Sequence, residues 1–333
     1  MKEKECDSSN AVETESDAAA QQVLTFSLDR IRQIAQDLRK KKGRIPGNKL
    51  SPLVPIKAQG TKPPLFLVHP VGGGVQLYYH LAEYLDMEQP LYGLQNHDSD
   101  CRQESAYVSI EEMARNYIQA IKTVCPNGPY MLGGWSMGGI VAYEMALQLN
   151  ALGDDLGPVV MVDTPARFES TTQEATAESR LANHLVLLGK IMARNEKKHL
   201  QLSPNELEHA DEEEQIRRFQ RALRIQEIGP PHTDAAVWRA AVKTFLNNYR
   251  ACRAYLPRPY AGKIVLMRAT EVMPEKIESA GLAFNDPTYG WQPFCTEPIT
   301  VHWVPGDHIL MMSEPNINSL SKLLQHHLDE CGH

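Results

Sequence analysis

The sequence of 333 residues predicts an α/β fold: a doubly wound, mostly parallel sheet with one helical insertion. Three observations carry this expectation. Short apolar strands alternate with helical segments. Several strands are apolar on both faces, as parallel strands covered by helices must be. One long stretch, between Asp163 and Lys263, breaks the rhythm and reads as helices alone.

The strands expected from the apolar runs are Leu65–His69, Pro90–Leu94, Tyr130–Trp135, Val159–Asp163, Lys263–Ala269 and Ile299–Val304. Helices fill most of the gaps, among them Ser109–Val124 and Gly139–Leu152. The insertion, about 167–260, reads as three helices near Ser179–Ala193, Ser203–Glu227 and Thr233–Tyr255. Ser203, Pro204 and Glu206 form a capping box with proline at the first helical position. In the third helix Val237, Trp238, Ala241, Phe245, Tyr249 and Cys252 make a broad apolar stripe, ended by Pro257. A helical insertion between two sheet strands is how lids over active sites are built; an ordinary helical subdomain is the alternative.

Residues 1–50 are expected to stand apart from a single domain at 51–330. Residues 1–22 are polar and acidic, the composition of a disordered tail. Leu24, Leu28, Ile31, Ile34, Ala35 and Leu38 recur at helical spacing up to the Lys40-Lys41-Lys42 run and Gly43. That amphipathic helix either docks a partner or packs on its own domain. The proline-rich residues 43–64 read as an extended linker.

Composition bounds the function. Lys plus Arg number 34 against 41 Asp plus Glu, a formal charge of −7, which argues against a nucleic-acid partner held by phosphate neutralisation. Hydrophobic residues are 42% and charged ones 23%, ordinary for a globular chain with a large core. No apolar run approaches the ~18 residues of a membrane span. The opening Met-Lys-Glu-Lys-Glu-Cys-Asp has no apolar stretch after its charges, so a secretory signal is not expected there. Six scattered cysteines (Cys6, Cys101, Cys125, Cys252, Cys295, Cys331) form no C-x-x-C pair and no metal spacing. They are expected to be reduced thiols of a cytoplasmic protein without metal or cofactor.

The chemistry concentrates in Tyr130-Met-Leu-Gly-Gly-Trp-Ser-Met-Gly-Gly-Ile140. Gly134, Ser136 and Gly138 make a G-x-S-x-G after a strand and before a helix, the setting of a nucleophile elbow. The turn is too tight for side chains two positions either side of the serine, and the helix N-terminus favours developing negative charge. A free hydroxyl is a poor nucleophile, so a base and an orienting acid are needed. His308, in Val304-Pro-Gly-Asp-His308 just past the last strand, is the expected base. His302 lies within that strand and reads as structural; His326 and His327 fall on the solvated face of the closing helix; His69 shapes a loop. The favoured acid is Asp163, at the end of the strand after the nucleophile, where it emerges at the same sheet edge as Ser136. Glu271, one strand later, competes, and Asp307 beside the base is the weakest of the three. An oxyanion hole is expected from the backbone N–H of Met137 and that of Val71, in the exit loop His69-Pro-Val-Gly-Gly-Gly74.

From about Leu50 to Leu328 the sequence resembles the thioesterase domains that terminate polyketide and nonribosomal peptide assembly lines, members of the α/β-hydrolase superfamily. The resemblance rests on Phe66-Leu-Val-His-Pro-Val-Gly-Gly-Gly74, Gly134-Trp-Ser-Met-Gly-Gly139, Asp163 after its strand, the helical insertion and Gly306-Asp-His308. Asn248-Tyr-Arg, Tyr255-Leu-Pro-Arg-Pro-Tyr260 and Gly290-Trp291 add to it. It implies an α/β-hydrolase fold, strengthens Asp163 as the acid and favours the terminal, type I-like enzymes over the separate editing ones. Such domains normally follow a carrier domain, yet residues 1–50 are not expected to hold a phosphopantetheine attachment motif.

The expected reaction is release of an acyl or peptidyl chain from the phosphopantetheine of a carrier protein through an acyl-serine, by hydrolysis or macrocyclisation. Transfer to a separate acceptor, simple ester hydrolysis and a non-catalytic carrier-binding module are the alternatives. Trp238, Leu185 and Leu188 are candidates for lining the substrate channel. Carrier proteins are usually acidic, so docking would fall to local basic patches such as Arg39 to Lys42 or Arg217 and Arg218.

Overall fold

Alternation along each strand sends side chains to two opposite helical layers, and the core divides accordingly. The computed structural model describes residues 51–96, 109–167, 177–229, 235–272 and 286–331. The expectations for residues 1–50, including the helix near Leu24–Leu38 and the Arg39 to Lys42 patch, lie outside them.

Among the described residues, seven strands form one sheet: β1 (Leu53–Lys57), β2 (Leu65–Val68), β3 (Leu91–Leu94), β4 (Met131–Trp135), β5 (Val159–Val162), β6 (Ile264–Ala269) and β7 (Thr300–Val304). Their order is β1-β3-β2-β4-β5-β6-β7. Only the β1–β3 pair is antiparallel. Phe66, Val68, Leu132, Val159 and Met161 face one layer, and Leu65, Leu67, Met131, Val160 and Val162 the other. The first layer holds α2 (Ile110–Ile121) and α3 (Met137–Ala151); the second holds α1 (Leu77–Tyr84) and α7 (Ile317–Glu330). This is the doubly wound α/β sheet the strand pattern predicts. Ser109 caps α2 by accepting from the Glu112 amide at 3.2 Å, with Glu111 and Glu112 in its first turn. Helix α3 is apolar nearly all round, with Met137, Ile140, Val141, Tyr143 and Met145 fully buried, as a central helix must be.

β1 corrects the reading of 43–64 as linker throughout. Leu53–Lys57 is extended but paired, with Leu53 opposite Leu94, and its register shifts between Pro55 and Lys57. Proline, which cannot donate to a ladder, is tolerated here because β1 is the edge strand and Pro55 is exposed. Lys57 Nζ then donates to the carbonyls of Ala82, Leu85 and Asp86 at the end of α1.

Between β5 and β6 run α4 (Ala177–Asn195), α5 (Glu212–Ile225) and α6 (Ala235–Ala254). Leu185, Val186, Phe219, Leu223, Val242 and Phe245 give them their own apolar core. The single helix expected over Ser203–Glu227 is divided in two. The Ser203 and Glu206 capping box is present, but it starts only a 3₁₀ turn, Pro204–Glu206. His209 takes a φ of 63°, and the chain restarts with Asp211 accepting from the Glu214 amide at 2.8 Å. A second cap and an acidic first turn at Glu212 to Glu214 outweigh continuity of the pattern. Among the described residues, no helix is long and apolar enough to cross a membrane.

Candidate active site

The register of β2, β4 and β5 decides what meets at the sheet's C-terminal edge. Val68 lies beside Gly134 and Trp135 beside Val162, so His69, Ser136 and Asp163 leave adjacent strands together. Tyr78 Oη locks the first junction, donating to Val68 O at 2.6 Å and accepting from the Trp135 amide at 3.0 Å. Burial pushes this phenol up, so it keeps the proton it donates.

Ser136 sits at the N-cap of α3 with φ 59° and ψ −124°. Such a conformation costs of order 1–3 kcal/mol and persists only where its surroundings hold it. The Ser136 amide donates to Val162 O at 2.9 Å, and Thr164 Oγ1 donates to Ser136 O at 2.9 Å. The flanking glycines are sterically required: a Cβ on Gly134 would lie 2.3 Å from the Gly138 carbonyl carbon, and one on Gly138 2.2 Å from Val68 O. Met137 opens α3, where first-turn amides lack intrahelical acceptors.

The structure joins His308 to Asp163 and to neither rival. His308 Nδ1 and Asp163 Oδ2 are 2.6 Å apart, and the Ala269 amide donates to Asp163 Oδ1 at 3.1 Å. A carboxylate only accepts, so Nδ1 carries the imidazole proton and Nε2 is left as the acceptor. Trp135, next to Ser136 in the elbow, donates from Nε1 to His308 O at 3.0 Å and packs its ring 5.0 Å from the imidazole. Glu271 is exposed beyond β6. Asp307 is fully buried but turns to Arg194 and to the Ile309 and Leu310 amides.

Val71 lies in the loop after β2, and Asn248 of α6 donates from Nδ2 to its carbonyl at 2.9 Å. Asn96 Nδ2 donates in turn to Asn248 Oδ1 at 3.2 Å, and the Asn96 amide donates to Gly73 O at 2.9 Å. His69 shapes this loop. Its Nδ1 donates to Pro70 O and its Nε2 accepts from Tyr117 Oη, both at 2.7 Å. Burial brings it down to about 4, so it is neutral at ordinary pH.

The remaining histidines and the channel candidates divide differently from expectation. His327 is not on a solvated face: its Nε2 meets His302 Nε2 at 2.7 Å, because α7 packs on β7. His326 does project outward. Leu185 is 1% exposed inside the core of the insertion, and Leu188 and Trp238 are partly buried against the same cluster. Arg217 and Arg218 both pair with Glu214 of their own helix. No local signal in the sequence marks Tyr78 or Arg194, and Asn248 stands out only within a resembling stretch. Trp135, Val71 and Asp307, which tie these three to the site, lie 57, 177 and 113 positions away, so no local spacing announces them.

A family model of the thioesterase domain matches residues 63–328. Chondramide synthase of Chondromyces crocatus is 30% identical over 286 residues, which cover 84% of this chain and 7% of that protein. Malpinin synthetase of Mortierella alpina is 32% identical over 260 residues, 78% of this chain and 3% of that one. A dimodular nonribosomal peptide synthase of Bacillus subtilis (strain 168) is 33% identical over 226 residues, 68% and 9%. The chain thus spans less than a tenth of the length of these relatives. A four-domain nonribosomal peptide synthetase bound to AMP and glycine superposes with TM-score 0.74 at 26% identity, over 88% of this chain and 21% of that one. The NocB thioesterase domain, in covalent complex with a fluorophosphonate nocardicin G analogue, shares the fold with TM-score 0.59 at 23% identity, over 83% and 99%.

Proposed function

Since the chain belongs to the thioesterase domain family, we propose that it releases an acyl or peptidyl chain from a carrier protein's phosphopantetheine thioester, with Ser136 as nucleophile, His308 as base and Asp163 as orienting acid. The observation that carries this reading is the 2.6 Å contact of His308 Nδ1 with Asp163 Oδ2, at the sheet edge where Ser136 stands on its strained turn. That contact makes Nε2 the acceptor of the serine proton. Ser136 Oγ attacks the thioester carbonyl carbon as His308 takes its proton. The oxyanion rests on the Met137 and Val71 amides, one at a helix N-terminus and the other on the loop that Asn248 braces.

Collapse of the tetrahedral intermediate breaks the carbon–sulfur bond, and His308 returns the proton to the departing thiol. The acyl-serine is then attacked by water, giving an acid, or by a hydroxyl or amine of the chain itself, giving a ring. His308 deprotonates that second nucleophile and hands the proton to Ser136 Oγ as the acyl–Oγ bond breaks, which restores the free serine. In this reading α4, α5 and α6 act as a lid that governs how much water reaches the acyl-serine. The protein needs no cofactor of its own, because the reactive thioester arrives on the carrier.

The test is incubation with acyl-pantetheine thioesters, followed by intact mass spectrometry and product analysis. The expected result is an acyl adduct on Ser136, free thiol, and acid or ring as product, all abolished in Ser136→Ala. Turnover that survives Ser136→Ala, or folded protein that never acylates, overturns the assignment. A product formed only with an added acceptor would make the protein an acyltransferase.

A further inference from the structure

His308 is preceded by Asp307, a carboxylate that is fully buried yet plays no part in the proposed relay. Both of its oxygens are engaged. Oδ1 accepts from the Ile309 amide at 2.9 Å and the Leu310 amide at 3.0 Å, which shapes the turn that carries the base. Oδ2 accepts from Arg194 Nε at 2.8 Å and also from Arg194 Nη2. Arg194 belongs to the last turn of α4, so its guanidinium reaches from the insertion to the loop of the base. Burial pushes the Asp307 carboxyl up, but Arg194 and the two amides outweigh it and hold it below the usual carboxylate range. Asp307 is therefore a buried anion adjacent in sequence to His308, and Arg194 supplies its counter-cation.

We propose that Arg194 is a positioning residue that fixes both the turn and the charge beside the base, making the acid–base behaviour of His308 depend on a helix of the insertion. The proposal rests on the reading of His308 as general base. Asp163 at the end of β5 is bonded to the imidazole, and other charged and titratable groups stand behind it or along its loop: Tyr289 beside Asp163, Arg268 over the Tyr289 ring, and Glu271, whose amide donates to Gly306 O. Tyr78 reaches the site through the Trp135 amide. Among the described residues, Arg194 is the cation paired with Asp307. With the cation removed, the Asp307 charge is no longer offset, the protonated imidazole is favoured, and the base is lost at a higher pH than before. A side chain that merely anchored α4 would change stability or substrate affinity and leave the titration where it was.

The experiment is the pH profile of kcat/KM for an acyl-pantetheine thioester, with thermal melting alongside, in wild type, Arg194→Gln, Arg194→Lys and the double variant Arg194→Gln with Asp307→Asn. Arg194→Gln is expected to move the acid limb to higher pH, with roughly a threefold to tenfold loss below the limb and a smaller loss above it. The loss should fall on kcat, with KM little changed. Arg194→Lys keeps the charge and should leave the limb in place even if its single ammonium lowers the melting temperature. The double variant, with cation and anion both gone, should bring the limb back towards wild type. An unmoved limb in folded Arg194→Gln overturns the proposal, as does a limb that shifts equally in Arg194→Lys. If Arg194→Gln does not fold, Asp307→Asn alone decides: it leaves the Arg194 cation without its anion, so the acid limb should move to lower pH, and an unmoved limb in folded Asp307→Asn overturns the proposal. Failure of the underlying reading would look different: wild type itself would show no acyl-Ser136 and no acid limb.

Discussion

Replacing Asp163 by Asn is expected to lower kcat/KM for an acyl-pantetheine thioester by about 10⁴, close to 5 kcal/mol of transition-state stabilisation at 1.36 kcal/mol per decade. The geometry determines which way the new amide turns. Oδ1 accepts the Ala269 amide at 3.1 Å, a role that only oxygen can keep. The amide nitrogen therefore takes the place of Oδ2, 2.6 Å from His308 Nδ1. Turning the amide over would set its NH₂ against the Ala269 N–H and leave a buried donor unpaired, costing about 1–3 kcal/mol. The imidazole, by contrast, changes tautomer without losing a hydrogen bond to the side chain, so the tautomer changes. Nε2 then carries the proton and cannot take another from Ser136. Single-turnover acylation followed by intact mass measures the loss, and a melting curve shows that the fold is kept. Glu271→Gln, at the exposed position beyond β6, should leave the rate as it was. A loss of less than about tenfold in folded Asp163→Asn would refute the assignment of the acid, because a donor facing Nδ1 cannot leave the relay nearly intact.

Other expectations concern the elbow, the Val71 loop and pH. Gly138→Ala places a Cβ 2.2 Å from Val68 O, a backbone atom of a central strand that cannot swing away, so unfolding should be easier by about 3 kcal/mol; thermal melting reads this, and an unchanged melting temperature would contradict the steric account of the elbow. Asn248→Ala removes the hydrogen bond to Val71 O and should lower kcat by about tenfold to a hundredfold, less than deleting an oxyanion donor outright; an effect confined to KM would sink the role given to that loop. His69 is held at about 4 against an ordinary 6.5, so the folded chain binds fewer protons than the unfolded one. Stability is therefore intact above pH 6.5 and falls by about 3 kcal/mol as the pH drops towards 4. Urea denaturation over that range, in wild type and His69→Gln, should show the slope in the first and a shallower one in the second.

Elements whose signals are local were legible in the chain. The central parallel strands β2, β4, β5 and β6 could be read because each is a short, fully buried run, and the elbow because Gly134 to Gly138 dictates its own turn. β1 was missed because its pairing with β3 depends on a partner some forty positions away, and Pro55 argues against a strand unless the edge position is known. The break at Asp211 was hidden because two competing caps lie in one helical pattern. His327 was misplaced because helical spacing alone does not reveal that His302 sits beneath it.

What the sequence determined by itself is the class of fold and the strand-turn-helix that carries Ser136, since periodicity and turn sterics are properties of neighbouring residues. The tertiary structure alone decided which carboxylate meets His308. Asp163, Glu271 and Asp307 are all near strand ends in the sequence, but only the register of β5 against β6 brings the Ala269 amide and the His308 imidazole to one of them. It alone attached the insertion to the site, through Asn248 to the Val71 loop and through Arg194 to Asp307. Those bonds join residues 177 and 113 positions apart. A hydrogen bond is decided by ångström-scale approach, and spacing along the chain carries no record of that distance until the packed layers set it.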